Sequence, residues 1–148
     1  MVKTLLVATD GSEQADKAVI LAADLAEKYG AKIVLLHIMP DVIKGAVPKG
    51  IQSYAELEHL DLGNAMWSVG EEILHVAKER AHQRGAQAVE TVLDKGIPAQ
   101  EILKYANEHD VDLIVMGCRG LGQLVGAFLG SVSNKVSHLA SQTCITVR

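Results

Sequence analysis

Aromatic side chains are scarce in this chain of 148 residues: Phe, Trp and Tyr together make up 3% of it. A core of stacked rings is therefore excluded. The 49% of residues that are apolar must build an aliphatic interior, which favours β-branched strands packed by alanine-rich helices. Cysteine is also sparse. Cys118 and Cys144 have neither C-x-x-C nor zinc-ligand spacing, so two free thiols in a reducing compartment are expected rather than a disulfide. Clusters of cations are missing as well. The net charge is −4, from 14 Lys and Arg against 18 Asp and Glu. Residues 51–72 carry Glu56, Glu58, Asp61, Glu71 and Glu72 with no Lys or Arg. Nucleic acid and anionic membrane surfaces both require clustered cations to displace counterions, so neither is expected as the main partner. No long hydrophobic run is present. Met1-Val2-Lys3 leads into an apolar run of only a few residues, too short for a signal peptide or a membrane span. A cytoplasmic protein without membrane insertion is expected. Its length is that of one domain, residues 1–148, able to bury roughly 68–70% of its unfolded surface without a metal or disulfide staple.

What is present alternates between strand and helix signals. Thr4–Ala8 is a short apolar run stopped by Asp10-Gly11-Ser12, the pattern of a buried strand and a turn. Ala15, Ala18, Val19, Ala22, Leu25, Ala26 and Tyr29 recur at helical spacing, with Gly30 as terminator. Residues 32–38 are apolar enough for a strand buried on both faces, as in a parallel sheet. His37 at its end is read as a strand-end histidine with a local hydrogen bond rather than a ligand or base. From residue 39 to residue 70 the pattern breaks, with Pro40, Gly45, Pro48, Gly50 and Gly63 scattered through it; such a stretch is either partly helical or a functional lid. Helical periodicity resumes at Met66, Val69, Ile73, Val76, Ala77 and Ala81, and ends at Gly85. Ser68-Val69-Gly70-Glu71 has the form of a capping box, at a helix start or inside a longer helix. Trp67 is read as a packing residue rather than an adenine stacker. His75 and His82 are read as solvated, since no third metal ligand accompanies them. Residues 88–93 form a third strand, and Pro98 suits the first turn of a helix whose buried face is Ile102, Leu103 and Ala106. Asp110-Val111-Asp112 turns the chain into a fourth strand. Val132, Val136, Leu139 and Ala140 mark a last helix, and residues 144–147 a fifth strand. This alternation predicts a mainly parallel sheet with helices on both faces.

The fourth strand runs into Gly117 and Gly120, and a second glycine signal at Gly130-Ser131 opens the last helix. Glycines permit positive φ and close approach of a ligand to the main chain, while a helix N-terminus offers unpaired N–H groups. That combination suits a phosphate. The alternative is that Gly117 only ends a strand and that Ser131 or Ser133 only caps a helix. Other phosphate loops are excluded by position. Gly117-x4-Gly122 is followed by Gln123 rather than the lysine of a Walker A loop, and a dinucleotide fingerprint from Gly120 would need glycine where Val125 stands. A receiver domain would need paired acids after the first strand and a late lysine; Asp10 is alone and the last strand has no lysine.

The spacing Gly117-x2-Gly120-x9-Gly130-Ser131 resembles the nucleotide loop of the universal stress protein family, in its ATP-binding branch. Val7-Ala8-Thr9-Asp10-Gly11-Ser12 resembles that family's first strand and turn, and the C-terminal C-I-T-V-R its last strand, so the resemblance covers the whole chain. It implies a three-layer α/β/α fold with a five-stranded parallel sheet in the order 3-2-1-4-5, Rossmann-like and similar to the adenine nucleotide alpha hydrolases. In that order the first and fourth strands are neighbours, and their carboxyl ends, at Asp10 and Gly117, flank the crevice where such sheets bind ligands. The resemblance further implies ATP, with Mg2+ or Mn2+, as the ligand. Asp10 would face adenine or ribose, or else cap the first helix. Ile38 would offer main-chain groups to the adenine edge. Gly117, Gly120, Gly130 and Ser131 would hold ribose and phosphates, with Met116 and Val132 beside them and Thr9 and Ser133 assisting. Arg119 either pairs with a phosphate or is solvated.

No catalytic set is evident. Fast phosphoryl transfer needs acid-held metal, a cation for developing charge and a positioned nucleophile or base; near this loop stand only Asp10, Arg119 and hydroxyls. No metal site built by protein alone is expected, Ser131 reaching a metal only through ATP-bound Mg2+. The expected function is an ATP-binding stress-response regulator with slow or no hydrolysis, forming a homodimer through the C-terminal strand and acting on a regulatory protein partner. The alternatives are a structural dimer module with an empty or AMP-binding loop, and a slow ATPase or autokinase.

Overall fold

The computed structural model describes residues 1–40, 49–57, 61–120 and 130–148. In chain order the elements are β1 (Thr4–Ala8), α1 (Glu13–Tyr29), β2 (Lys32–Met39), α2 (Lys49–Leu57), α3 (Leu62–Gln83), β3 (Val89–Lys95), α4 (Pro98–Glu108), β4 (Leu113–Gly117), α5 (Ser131–Leu139) and β5 (Thr143–Val147). Among the described residues, five strands form one sheet in the order β3-β2-β1-β4-β5, every pairing parallel.

Side chains alternate across each strand, so a parallel strand buried on both faces must be apolar at every position. Leu5, Val7, Ile33, Leu35, Leu113 and Val115 pack with Ala18, Val19 and Ala22 of α1 and Leu74, Ala77 and Ala81 of α3. Leu6, Val34, Leu36, Ile38, Ile114 and Met116 pack on the opposite face with Ala99, Ile102 and Ala106 of α4 and Val136 of α5. The result is three layers. The alanines on α1 and α3 let those helices lie close to the sheet, which is how an interior almost without rings is filled.

Local signals set several boundaries. Ser12 is the N-cap of α1, its side chain accepting from the Ala15 N–H, and Gly30 ends that helix at φ 64°. Pro98 opens α4. Two open alternatives are decided and one expectation, the ends of β2 and β3, is corrected. The capping-box sequence 68–71 lies inside α3, whose N-cap is Asp61, accepting from Asn64 N. β2 continues to Met39 and β3 to Lys95, because the β2–β3 register extends through the pair Met39↔Lys95. The break from residue 39 to residue 70 is partly helical, in α2 and the start of α3; its residues 41–48 and 58–60 lie outside the described residues, as do residues 121–129 of the glycine loop. No described helix is long and apolar enough to cross a membrane.

Candidate functional site

Neighbouring strands β1 and β4 lead their chains to opposite sides of the sheet, β1 towards β2 and β4 towards β5. Beyond their carboxyl ends a crevice opens, as the geometry of doubly wound sheets requires. It holds a cavity of about 390 Å³. Thr9, Asp10, Ile38, Met116, Gly117, Arg119, Gly120, Gly130, Ser131, Val132 and Ser133 all line it, so the fold brings every residue of the sequence-level set together.

The turn after β1 is tightly organised. Thr9 N donates to Leu36 O at 3.0 Å, Thr9 Oγ1 accepts from Gly11 N at 3.3 Å and Asp10 Oδ1 accepts from Ser12 N at 3.0 Å. Asp10 thus braces the turn but is not the cap of α1, a correction to one of its two readings. Its Oδ2 faces Gly120 so closely that a Cβ there would collide with it.

Among the described residues of the loop, Gly117 and Gly120 serve close approach rather than left-handed backbone. Among the described glycines positive φ falls at Gly11, Gly30, Gly85 and Gly96; Gly130 has φ −70°. A Cβ on Gly117 would lie 3.0 Å from Ala15 N and from the Gln14 carbonyl carbon, so glycine lets the loop pass against the start of α1. Beyond it, Cys118 N donates to Val147 O at 2.7 Å, and Gly130 N donates to Cys118 O at 2.6 Å.

Gly130 is the N-cap of α5 and no side chain caps that helix, which corrects the reading of Ser131 or Ser133 as caps. Ser133 is buried, and its hydroxyl donates to Cys118 O at 2.7 Å and Gly130 O at 3.1 Å. Its proton is therefore committed to the loop. The first amides of α5, from Ser131 onward, have no partner within the helix, as at any helix N-terminus, and the Ser131 hydroxyl is exposed. Arg119 donates its backbone N–H to Gln14 Oε1 at 2.7 Å, while its guanidinium Nε is buried without a hydrogen-bond partner among the described residues.

Several cavity residues stand outside the set of binding residues read from the sequence. His37 lines the cavity, and its Nδ1 lies 2.8 Å from Thr9 O; a carbonyl only accepts, so Nδ1 carries the proton. This is the strand-end hydrogen bond expected of it. Its position at the end of a strand beside β1 was the signal that placed it near the crevice. Met66, Val69 and Ile73 of α3 supply an apolar wall, with Pro98 and Ile102 of α4 opposite the sheet edge. The resumed periodicity at Met66 marked these α3 residues as buried without saying against what. Trp67 is 47% exposed and lies outside this cavity, so it neither fills the core nor stacks on a base there. His75 is exposed beside Glu79 and His82 Nδ1 lies 2.8 Å from Ala86 O. Both cysteines are free; burial pushes the Cys144 thiol pKa up. At the opposite end of the sheet, Asp112 Oδ2 accepts from Lys3 N at 2.7 Å and Thr4 N at 2.9 Å, and these bonds lower its pKa from 3.8.

The universal stress protein family model matches residues 1–148. Universal stress protein YxiE of Bacillus subtilis is 40% identical over 149 residues, covering 100% of both chains. Universal stress protein Rv1636 of Mycobacterium tuberculosis is 33% identical over 153 residues, covering 98% of this chain and 95% of the other. Among solved structures, universal stress protein UspA from Lactobacillus plantarum superposes with a TM-score of 0.81 at 25% identity, covering 99% of this chain and 97% of that one. A universal stress protein in complex with cAMP superposes with a TM-score of 0.70 at 27% identity, covering 99% and 97%. The β3-β2-β1-β4-β5 sheet, the glycine loop at its switch point and a match along the entire sequence lead to one conclusion: this chain belongs to the universal stress protein family.

Proposed function

We propose that the cavity binds ATP and that the chain acts as a nucleotide-dependent regulator in the cytoplasm, with slow or no hydrolysis. The observation that carries this reading is the convergence of Asp10, the glycine loop and the α5 N-terminus on one cavity, which Arg119 also lines, its buried guanidinium Nε having no partner among the described residues. A buried unpartnered donor is costly, and a phosphate oxygen satisfies it. The apolar wall of Ile38, Met116 and Ile102 suits a purine ring, and the free amides at the start of α5 suit phosphates. A family member solved in complex with cAMP supports an adenine nucleotide.

Turnover is read as slow because, among the described residues, the cavity is lined by one acid, Asp10, one arginine, Arg119, and the imidazole of His37, short of the set that rapid phosphoryl transfer uses. Among the described residues no three His, Cys, Asp or Glu side chains stand together to hold a metal ion. Mg2+ or Mn2+ would arrive with the phosphates, whose charge it neutralises, and the exposed Ser131 hydroxyl is the oxygen the protein would add. The proposed assembly is a homodimer through β5, with a regulatory protein as downstream partner.

Mass spectrometry of ligand released from the purified, denatured protein tests the reading, followed by calorimetry with added nucleotide. ATP should be recovered or bound. An empty site that also ignores ATP would overturn it, and steady-state hydrolysis in the usual enzyme range of about 1–1000 per second would overturn the regulator role. The cAMP complex of a relative favours a second reading, a dimer module whose loop takes a nucleoside monophosphate; AMP binding tighter than ATP would select it.

A further inference from the structure

One side chain outside the cavity holds two successive residues of the glycine loop. Gln14 is the second residue of α1, half-buried, and does not line the cavity. Its side-chain carbonyl Oε1 accepts from the Arg119 backbone N–H at 2.7 Å and from the Cys118 thiol at 3.1 Å, across 105 and 104 residues of sequence. Because a backbone N–H can only donate, the oxygen and not the nitrogen of the Gln14 amide must face the loop, and its two lone pairs match the two donors.

This bond has a consequence for what the loop presents. Arg119 lines the cavity with its N–H turned to α1, and its guanidinium Nε is buried without a hydrogen-bond partner among the described residues. The segment on either side is held by backbone contacts, Cys118 N to Val147 O and Gly130 N to Cys118 O. The peptide joining Cys118 to Arg119 is held at its carbonyl by Gly130 N and the Ser133 hydroxyl, and Gln14 holds its N–H. The absence of a Cβ at Gly117 brings the α1 backbone at Gln14 and Ala15 against the loop, so the glutamine reaches Arg119 without spanning a gap.

We propose that Gln14 is the positioning residue of the glycine loop: by taking the Arg119 N–H it sets the 118–120 backbone so that the Arg119 side chain faces phosphate. The assignment rests on the nucleotide reading above. It makes affinity for the phosphates depend on a side chain of α1 that touches no ligand, while affinity for the nucleoside is left to the β1 turn and Ile38.

The test compares ATP and adenosine binding by calorimetry and the Arg119 amide by hydrogen exchange, in the parent, Gln14→Leu and Gln14→Glu. Gln14→Leu removes the acceptor, so the Arg119 amide should exchange at least about tenfold faster and ATP affinity fall about tenfold, with adenosine affinity changed by less than about twofold. Gln14→Glu keeps an acceptor and should retain slow exchange at Arg119 and the parent's adenosine affinity. A Gln14→Leu protein that binds ATP as the parent does, or one that loses ATP and adenosine equally, would overturn the assignment alone. So would a Gln14→Glu protein whose Arg119 amide exchanges fast. A parent that binds neither ligand would overturn the nucleotide reading and this assignment with it.

Discussion

Cys118 and Val147 are joined by a main-chain hydrogen bond of 2.7 Å, from the N–H of the first to the carbonyl of the second. The glycine loop is thereby tied to the last residue of β5, the strand at one edge of the sheet. The bond also orients that strand. If the Val147 carbonyl faces β4, the alternation of a parallel ladder turns the polar groups of Ile145 towards β4 and those of Cys144 and Thr146 to the open side. The opposite edge is β3, where Glu90, Asp94 and Lys95 are exposed and Glu90 pairs with Lys32 at 3.2 Å. Charges of this kind guard an edge against pairing. In β5 the residues Cys144, Ile145, Thr146 and Val147 carry no charge and are half-buried.

An uncharged edge strand, opposite a guarded one and uncovered among the described residues, leads us to expect a homodimer through β5, the same surface used twice about a two-fold axis. Thr146→Pro removes an outward N–H and should convert the dimer to monomer in light scattering during size exclusion, while ATP binding persists. Ile145→Pro instead breaks the β4–β5 ladder and should lower stability, because proline cannot donate there. A parent that elutes as a monomer at tens of micromolar, or a Thr146→Pro protein that is still fully dimeric, would rule out this interface.

Gly120 is needed for the space it leaves. Any Cβ would meet Asp10 Oδ2, so Gly120→Ala should push the loop away from the β1 turn. We expect ATP affinity to fall at least tenfold, about 1.4 kcal/mol, with the far-ultraviolet circular dichroism unchanged. Calorimetric titration of the variant with ATP gives the answer, and parent-like affinity would show that the loop tolerates the side chain.

Asp112 makes stability depend on pH. Its folded pKa is lowered by the Lys3 and Thr4 amides from an unfolded value of 3.8. The folded state therefore favours the carboxylate; the stabilisation is complete above the unfolded pKa and is lost as pH falls through the lower, folded one. Asp112→Asn should melt below the parent at neutral pH, modestly for so exposed a group, and the two curves should converge in acid. A melting difference that stays constant from pH 7 down to acid would contradict this.

The Cys144 thiol, pushed up in pKa by burial, is mostly protonated at neutral pH, and the thiolate is the species that alkylates. Iodoacetamide should label it more slowly in the folded protein than in urea, with a rate that climbs only as pH passes the ordinary thiol range. Mass spectrometry of timed aliquots would show this. Equal rates in folded and unfolded protein would refute it.

The sequence by itself determined the elements and their punctuation, because those depend on neighbours a few residues away. Gly30 at φ 64° ends α1 and Pro98 opens α4 as any such residues would. The apolar runs declared a parallel sheet since only strands buried on both faces need them, and the glycine spacing marked the loop. Tertiary structure decided what those residues do. The register of β2 on β3 carried both strands past their apparent ends, to Met39 and Lys95. Gly117 and Gly120 prove to be required for close approach, at the start of α1 and at Asp10, rather than for φ, which no local pattern distinguishes. Ser12 took the cap that Asp10 could have held, leaving the carboxylate to brace the turn. Gln14 reads in sequence as an ordinary first-turn helix residue; its hold on Arg119, 105 residues away, exists only because pairing β1 with β4 brings two distant ends of the chain to one crevice.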